Sequence, residues 1–274
     1  MSSNQEDTAN LPIRCSLTLA YAISLVIAAI MAIASVAGLL YQSTIYPTDE
    51  LRQSFVANDV VNLLIGLPIL LGSIWLARRG KLVGLLFWPG ALFYVFYTYL
   101  VYVLGMPLNV AFVLHLTLLT LSAYAMIGLV ACIDGKAVQD RLTGAVSERV
   151  GGGVLAGLGI LFLVQVAGVL VNALLSQTPV PAAELALHVS DFLISPAWVI
   201  GGVLLWRRKA LGYVTGLGLL FQASMLFVGL IVILALRPFM TTAQFVLSDV
   251  LVVFVMGMVC FVPFALFVRG AVRK

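Results

Sequence analysis

Eight apolar runs, each long enough to cross a bilayer and almost free of charge, leave this chain few folds to choose from. They fall near residues 17–41, 59–77, 82–104, 109–133, 150–175, 185–206, 211–236 and 243–268. A hydrocarbon core about 30 Å thick is spanned by about 20 helical residues. Within it every backbone N–H and C=O must be satisfied inside the protein, so runs of this kind fold as helices. Only 9% of the 274 residues are charged, against about 25% in an average soluble domain. The expected fold is therefore an all-α integral membrane bundle of eight transmembrane helices. The connections are too short to hold an extramembrane catalytic domain.

Charge distribution orients the bundle. The net charge of +4 could suggest nucleic acid, but the positions of the bases refute that reading. With the N-terminus inside, the cytoplasmic segments hold Arg14; Arg78, Arg79 and Lys81; Lys136, Arg141 and Arg149; Arg207, Arg208 and Lys209; and Arg269, Arg273 and Lys274, which is 13 of the 15 Lys and Arg. Arg52 and Arg237 fall on the other side. Such segregation over short loops is the positive-inside rule and predicts both termini in the cytoplasm. The compact loops point to a prokaryotic plasma membrane.

The chain also reads as one four-helix unit written twice. Ser35-Val-Ala-Gly-Leu-Leu-Tyr-Gln42 is echoed by Gln165-Val-Ala-Gly-Val-Leu-Val-Asn172, 130 positions later. Pro68, Arg79, Lys81 and Gly84 recur as Pro196, Arg207, Lys209 and Gly212, each displaced by 128. Phe112-Val-Leu-His115 reappears as Phe245-Val-Leu-Ser248, displaced by 133. The expected organisation is a tail over 1–16, a first four-helix repeat over 17–133, a cytoplasmic linker over 134–149 and a second repeat over 150–274. An even number of helices per repeat gives both repeats the same orientation. A site in a duplicated bundle is expected where the halves meet.

The polar tail from Met1 to Ile13 is expected to be disordered, and the first apolar run reads as a retained signal-anchor. Loops are expected near 42–58 and across the solvated linker. Cys15, Cys132 and Cys260 all fall near cytoplasmic helix ends, where a reducing compartment predicts free, inert thiols. Ala28, Ala32, Ala34 and Gly38 on the first helix, and Gly153 and Gly157 on the fifth, have the small-residue spacing that lets helices approach closely. Pro68, Pro89, Pro196 and Pro263 are expected to kink their helices. Trp75, Trp88 and Trp206 read as one aromatic belt, and Tyr41, Tyr46 and Tyr102 as the opposite one.

Few polar residues enter the helices, and these are the candidate site. Asp59, His115, Asp191 and Asp249 lie on helices 2, 4, 6 and 8. His188 shares a face with Asp191, as Asn62 does with Asp59. Asp59 stands at the start of its run, where a carboxylate caps a helix. At about 1.5 Å per residue, His115 and Asp249 would lie about 10 Å below the outer interface. A carboxylate at the centre of a bilayer costs about 2.5–3.5 kcal/mol on insertion scales unless it is hydrated or paired, so a polar outward-facing pocket is expected. Helix 3 contributes Tyr94 and Tyr97, and helix 7 places Gln222 at the position matching Tyr94.

The pattern favours a small-molecule or ion binding or transport protein using Asp59, Asn62, Tyr94, Tyr97, His115, His188, Asp191, Gln222 and Asp249. A weaker alternative is an intramembrane metal-dependent hydrolase with His115, His188 and Asp191 as ligands. The third is a non-catalytic accessory or sensor bundle whose polar residues only specify helix pairing. No catalytic residue can be named, no cofactor motif is found, and no cofactor is expected. The expected partners are the lipid bilayer, a small-molecule or cation ligand and a further copy of the chain.

Overall fold

A computed structural model describes residues 11–240 and 245–273. Among them the regular structure is helical, apart from an isolated bridge between Ile13 and Ile133. The elements are α1 (Thr18–Leu40), α2 (Gln42–Ile45), α3 (Asp49–Arg78), α4 (Leu82–Gly105), α5 (Val110–Cys132), α6 (Gly135–Leu142), α7 (Glu148–Ser176), α8 (Ala182–Trp206), α9 (Ala210–Met240) and α10 (Leu247–Val272). All but α2 and α6 are long and apolar enough to cross a membrane, giving eight spans. Large side chains such as Leu251, Val255 and Val259 of α10 are exposed, as a lipid-facing surface requires. Eight such helices fit a multi-pass membrane protein.

α4 is the central helix. Of its most apolar window 83% is buried, against 22% for α5, α7 and α10. It packs on α3, α5, α8 and α9. Its crossing with α9 is made by glycine: a Cβ on Gly218 would stand 2.6 Å from the Cα of Gly90. α7 lies along α8 in the same manner, with Gly152 against the Gly202 carbonyl and Gly159 against that of Ser195. This corrects the expected seam. Gly153 meets the Trp206 ring and Gly157 meets nothing within 4 Å, because the face of α7 that fits α8 is turned by one residue.

α3 begins ten residues earlier than its apolar run. Thr48 caps it by accepting from the Leu51 N–H at 3.3 Å, and Asp49 and Glu50 occupy its first turn, where acids suit the helix dipole. The expected 42–58 loop is thus largely helical, and Asp59 is no cap. Just before Pro68 the helix widens into a π turn over Asn62–Gly66. Proline lacks an N–H and crowds the preceding turn, so one residue of slack there absorbs the mismatch.

The chain ahead of α1 folds back along the end of α5. Arg14 N–H donates to the Cys132 carbonyl at 2.8 Å, and Asp134 N–H donates to that of Pro12 at 2.7 Å. Leu11 is buried, so this part of the tail is ordered; residues 1–10 lie outside the described residues. Cys15 and Cys132 form a disulfide, with Cα atoms 5.3 Å apart, which corrects the expectation of free thiols. Residues 117 apart are brought together by the returning backbone, which spacing alone could not reveal. Cys260 is free and buried. With alkylating agent present from lysis onward, one cysteine is expected to label in denatured protein before reduction, and three afterwards. Labelling of all three beforehand would contradict the bond.

The linker is not merely solvated. Asp134 caps α6 and pairs with Arg14 at 2.9 Å, and the Arg14 guanidinium holds its carboxyl below the usual aspartate range. Val138 and Leu142 are buried, and Gln139 donates to the Arg208 carbonyl at 2.7 Å. Tyr213 OH reaches Glu148 at 2.8 Å. The aromatic belts also change. Trp75, Trp206 and Tyr41 are exposed, but Trp88, Tyr46 and Tyr102 are fully buried. Trp88 donates to Ser24 at 2.9 Å, because α4 has neighbours on every side.

Candidate functional site

A cavity of about 780 Å³ opens between the two halves, walled by α3, α4, α7, α8 and α9. Its rim carries exposed Glu50, Gln53, Pro181 and Glu184, at the end opposite the basic turns. Buried Tyr94, Tyr97, Thr98, Asp191 and Gln222 line its interior. α8 begins at Ala182, three residues ahead of the expected start, so Asp191 lies nine residues into it, about 14 Å along the axis. Its Oδ1 accepts from Tyr97 OH at 2.8 Å. Among the described residues no Lys or Arg forms an ion pair with it. His188, one turn earlier and also on the wall, stands 3.5 Å from Glu184.

Gln222 is the unusual member. Its side chain is fully buried, and among the described residues neither amide Nε2 nor Oε1 has a hydrogen-bond partner. A buried amide without partners costs about 1–3 kcal/mol per group. A bundle free to choose would fill that position with leucine. Gln222 sits four residues after Gly218, as Tyr94 sits four after Gly90, so the glycine crossing sets the two polar side chains at the cavity.

The remaining candidates gather elsewhere. Asp59 is buried in the first half, accepting from Tyr46 OH and from Tyr102 OH, the latter at 3.0 Å. Gly38 leaves room for it, since any Cβ there would collide with the carboxyl group. His115 packs against the rings of Tyr99 and Tyr102 with its Nδ1 unpartnered. Asn62 joins the two groups: it donates to Ser35 at 3.4 Å and accepts from Tyr94 OH at 2.7 Å. Asp249 is exposed in the first turn of α10 and does not line the cavity. Its expected depth is corrected, because α10 starts at Leu247 rather than at 243.

The nine candidates therefore divide between a cavity group, a buried first-half group and one surface acid. Tyr46, Tyr102, Ser35 and Glu50 were missed as members. The available signal was α4 itself: a helix that is apolar on every face is buried on every face, so its tyrosines seek partners inside the bundle, and Tyr94, Tyr97 and Tyr102 find them. The metal set His115, His188 and Asp191 is not assembled, since His115 faces α4 tyrosines away from the cavity. Among the described residues no three His, Cys, Asp or Glu side chains could hold a metal ion together. No protein-family model, curated protein or solved structure matches the chain. The functional reading rests on the site alone.

Proposed function

We propose that this protein binds a small molecule or ion in the cavity between its halves, taking it up from the outer face, and that it serves transport or ligand recognition across a prokaryotic plasma membrane. The observation that carries this reading is Gln222, a buried amide with no partner among the described residues, lining a cavity that also contains Asp191 and Tyr97. A polar group left unpaired in a bundle core calls for an account, and one that lines a cavity can be answered by a ligand.

The wider architecture belongs to the same proposal. We read the halves as tandem repeats in parallel orientation, with both termini cytoplasmic by the placement of the basic turns. The Cys15–Cys132 bond at that end argues for the opposite orientation, since cytosolic disulfides are rare, and labelling by an impermeant reagent decides between them. The glycine crossing supports the repeat, since Gly90 and Gly218 are separated by the same 128 positions as Pro68 and Pro196. With cytoplasmic termini the rim at Glu50 and Glu184 faces outward. The Asp59 group is better suited to specifying helix pairing than to meeting a ligand, because both its carboxylate oxygens are occupied by tyrosines.

Two measurements test the reading. Gln222→Leu is expected to stabilise the purified protein by about 1–3 kcal/mol. Thr98→Cys, made in a Cys260→Ser background, is expected to react with a membrane-impermeant thiol reagent added to intact cells, because Thr98 is reached through the cavity. A destabilised Gln222→Leu protein, or labelling only after permeabilisation, would count against it.

A further inference from the structure

The chemistry of the cavity wall narrows the ligand class. Glu50, Glu184 and Asp191 all line the cavity, and among the described residues no Lys or Arg does; His188, also on the wall, stands 3.5 Å from Glu184. Asp191 is 6% exposed and receives one phenolic hydrogen bond, from Tyr97. Taking a carboxylate out of water costs several kcal/mol unless a counter-charge joins it, and the protein supplies no ion-pair partner among the described residues. Gln222 adds an unpartnered amide oxygen in the interior, an acceptor suited to an ammonium N–H. The rings of Tyr94, Tyr97 and Phe162 can further stabilise a cation lying near their faces.

The rest of the wall is of another kind. Val166 on α7 and Leu226, Leu230, Ile233 and Leu234 on α9 form an apolar flank beside the acids. A bare metal ion or proton needs neither that flank nor a volume near 780 Å³. That volume falls within the range of about 300–1,000 Å³ common for organic ligands. A purely polar solute would leave the flank wet, and an anion would meet three acids.

We infer that the cavity takes an amphipathic organic cation, an amine whose head pairs with Asp191 and Gln222 while its hydrocarbon lies along α7 and α9. This rests on the cavity being the ligand site. The test uses the full chain in lipid nanodiscs, titrated calorimetrically with octylamine, octanol and octanoate, with empty nanodiscs subtracted. These probes share a chain length and differ in head-group charge.

Octylamine is expected to bind saturably and at least about tenfold more tightly than octanol, the scale of one charged hydrogen bond, and octanoate is expected not to bind. Asp191→Asn should remove that tenfold advantage and leave octanol affinity unchanged. Gly229→Trp, which fills open space on the wall, should abolish binding of both. Equal affinity for amine and alcohol, both lost in Gly229→Trp, overturns the cation assignment and leaves the cavity as a ligand site. Amine binding that survives Gly229→Trp overturns the placement. Failure of all three probes to saturate overturns the cation assignment and the ligand-site reading together. Should Asp191→Asn not fold, the ranking of the probes on unaltered protein, with Gly229→Trp, decides alone.

Discussion

Gly90→Ala is expected to destabilise the bundle by about 2 kcal/mol or more. The added Cβ meets the Gly218 backbone, and backbone cannot rotate away as a side chain can. α4 and α9 must separate, which loosens the central helix from a neighbour along its length. Gly72→Ala and Gly128→Ala are the controls. A Cβ added at either meets no neighbouring atom within 4 Å, and alanine favours a helix over glycine by up to about 1 kcal/mol. Thermal denaturation of the purified full chain in detergent separates the cases. If Gly90→Ala melts with the controls, α4 and α9 do not cross at these glycines. Because Tyr94 and Gln222 lie one turn beyond the crossing, the same variant should also weaken ligand binding in the cavity.

Asp59→Ala is expected to cost about 2 kcal/mol or more, since it strands the buried Tyr46 phenol and leaves the Tyr102 phenol only the Phe55 carbonyl at 3.2 Å. Tyr46 and Tyr102 are fully buried and have no route to water without opening the packing of α3 on α4. Asp59→Asn should cost less, because its carbonyl oxygen keeps one phenol and a tyrosine oxygen can accept from the new amide. Tyr102→Phe should fall between the wild type and Asp59→Ala, because it removes one phenol proton, shared between the carboxylate at 3.0 Å and the Phe55 carbonyl at 3.2 Å. The order of melting temperatures checks this. An Asp59→Ala protein as stable as the wild type, or more so, would mark Asp59 as a strained ligand-binding group instead of a brace. The contrast with Gln222→Leu, expected to stabilise, is what separates the two polar groups of this molecule.

Much of the helix plan was legible. The apolar runs located all eight spans, and their ends fell within a few residues except at α3, where ten further residues joined the helix. The signal for that extension was present in Thr48-Asp49-Glu50, a capping residue followed by acids, but low hydropathy over 49–58 concealed it. The candidate site was legible in composition and not in grouping. His188, Asp191, Tyr94, Tyr97 and Gln222 do line one cavity, whereas Asp59 and His115 turn toward tyrosines in the first half and Asp249 stays at the surface. Depth along a helix could be counted in residues. The direction each side chain faces depends on the rotation of its helix against neighbours, and small shifts decide it, as Gly152 and Gly153 demonstrate on α7.

What the sequence determined by itself was local: which segments are too apolar to leave a membrane, where bases collect at the turns, and which rare polar residues must be answered inside the bundle. Those properties belong to single residues and their immediate chain neighbours. The tertiary structure alone decided the partnerships, including the Asp59 carboxyl held between Tyr46 and Tyr102, the unanswered amide of Gln222, and Cys15 bonded to Cys132. Each depends on contacts between segments distant in the chain, whose approach is set by glycine crossings and returning backbone.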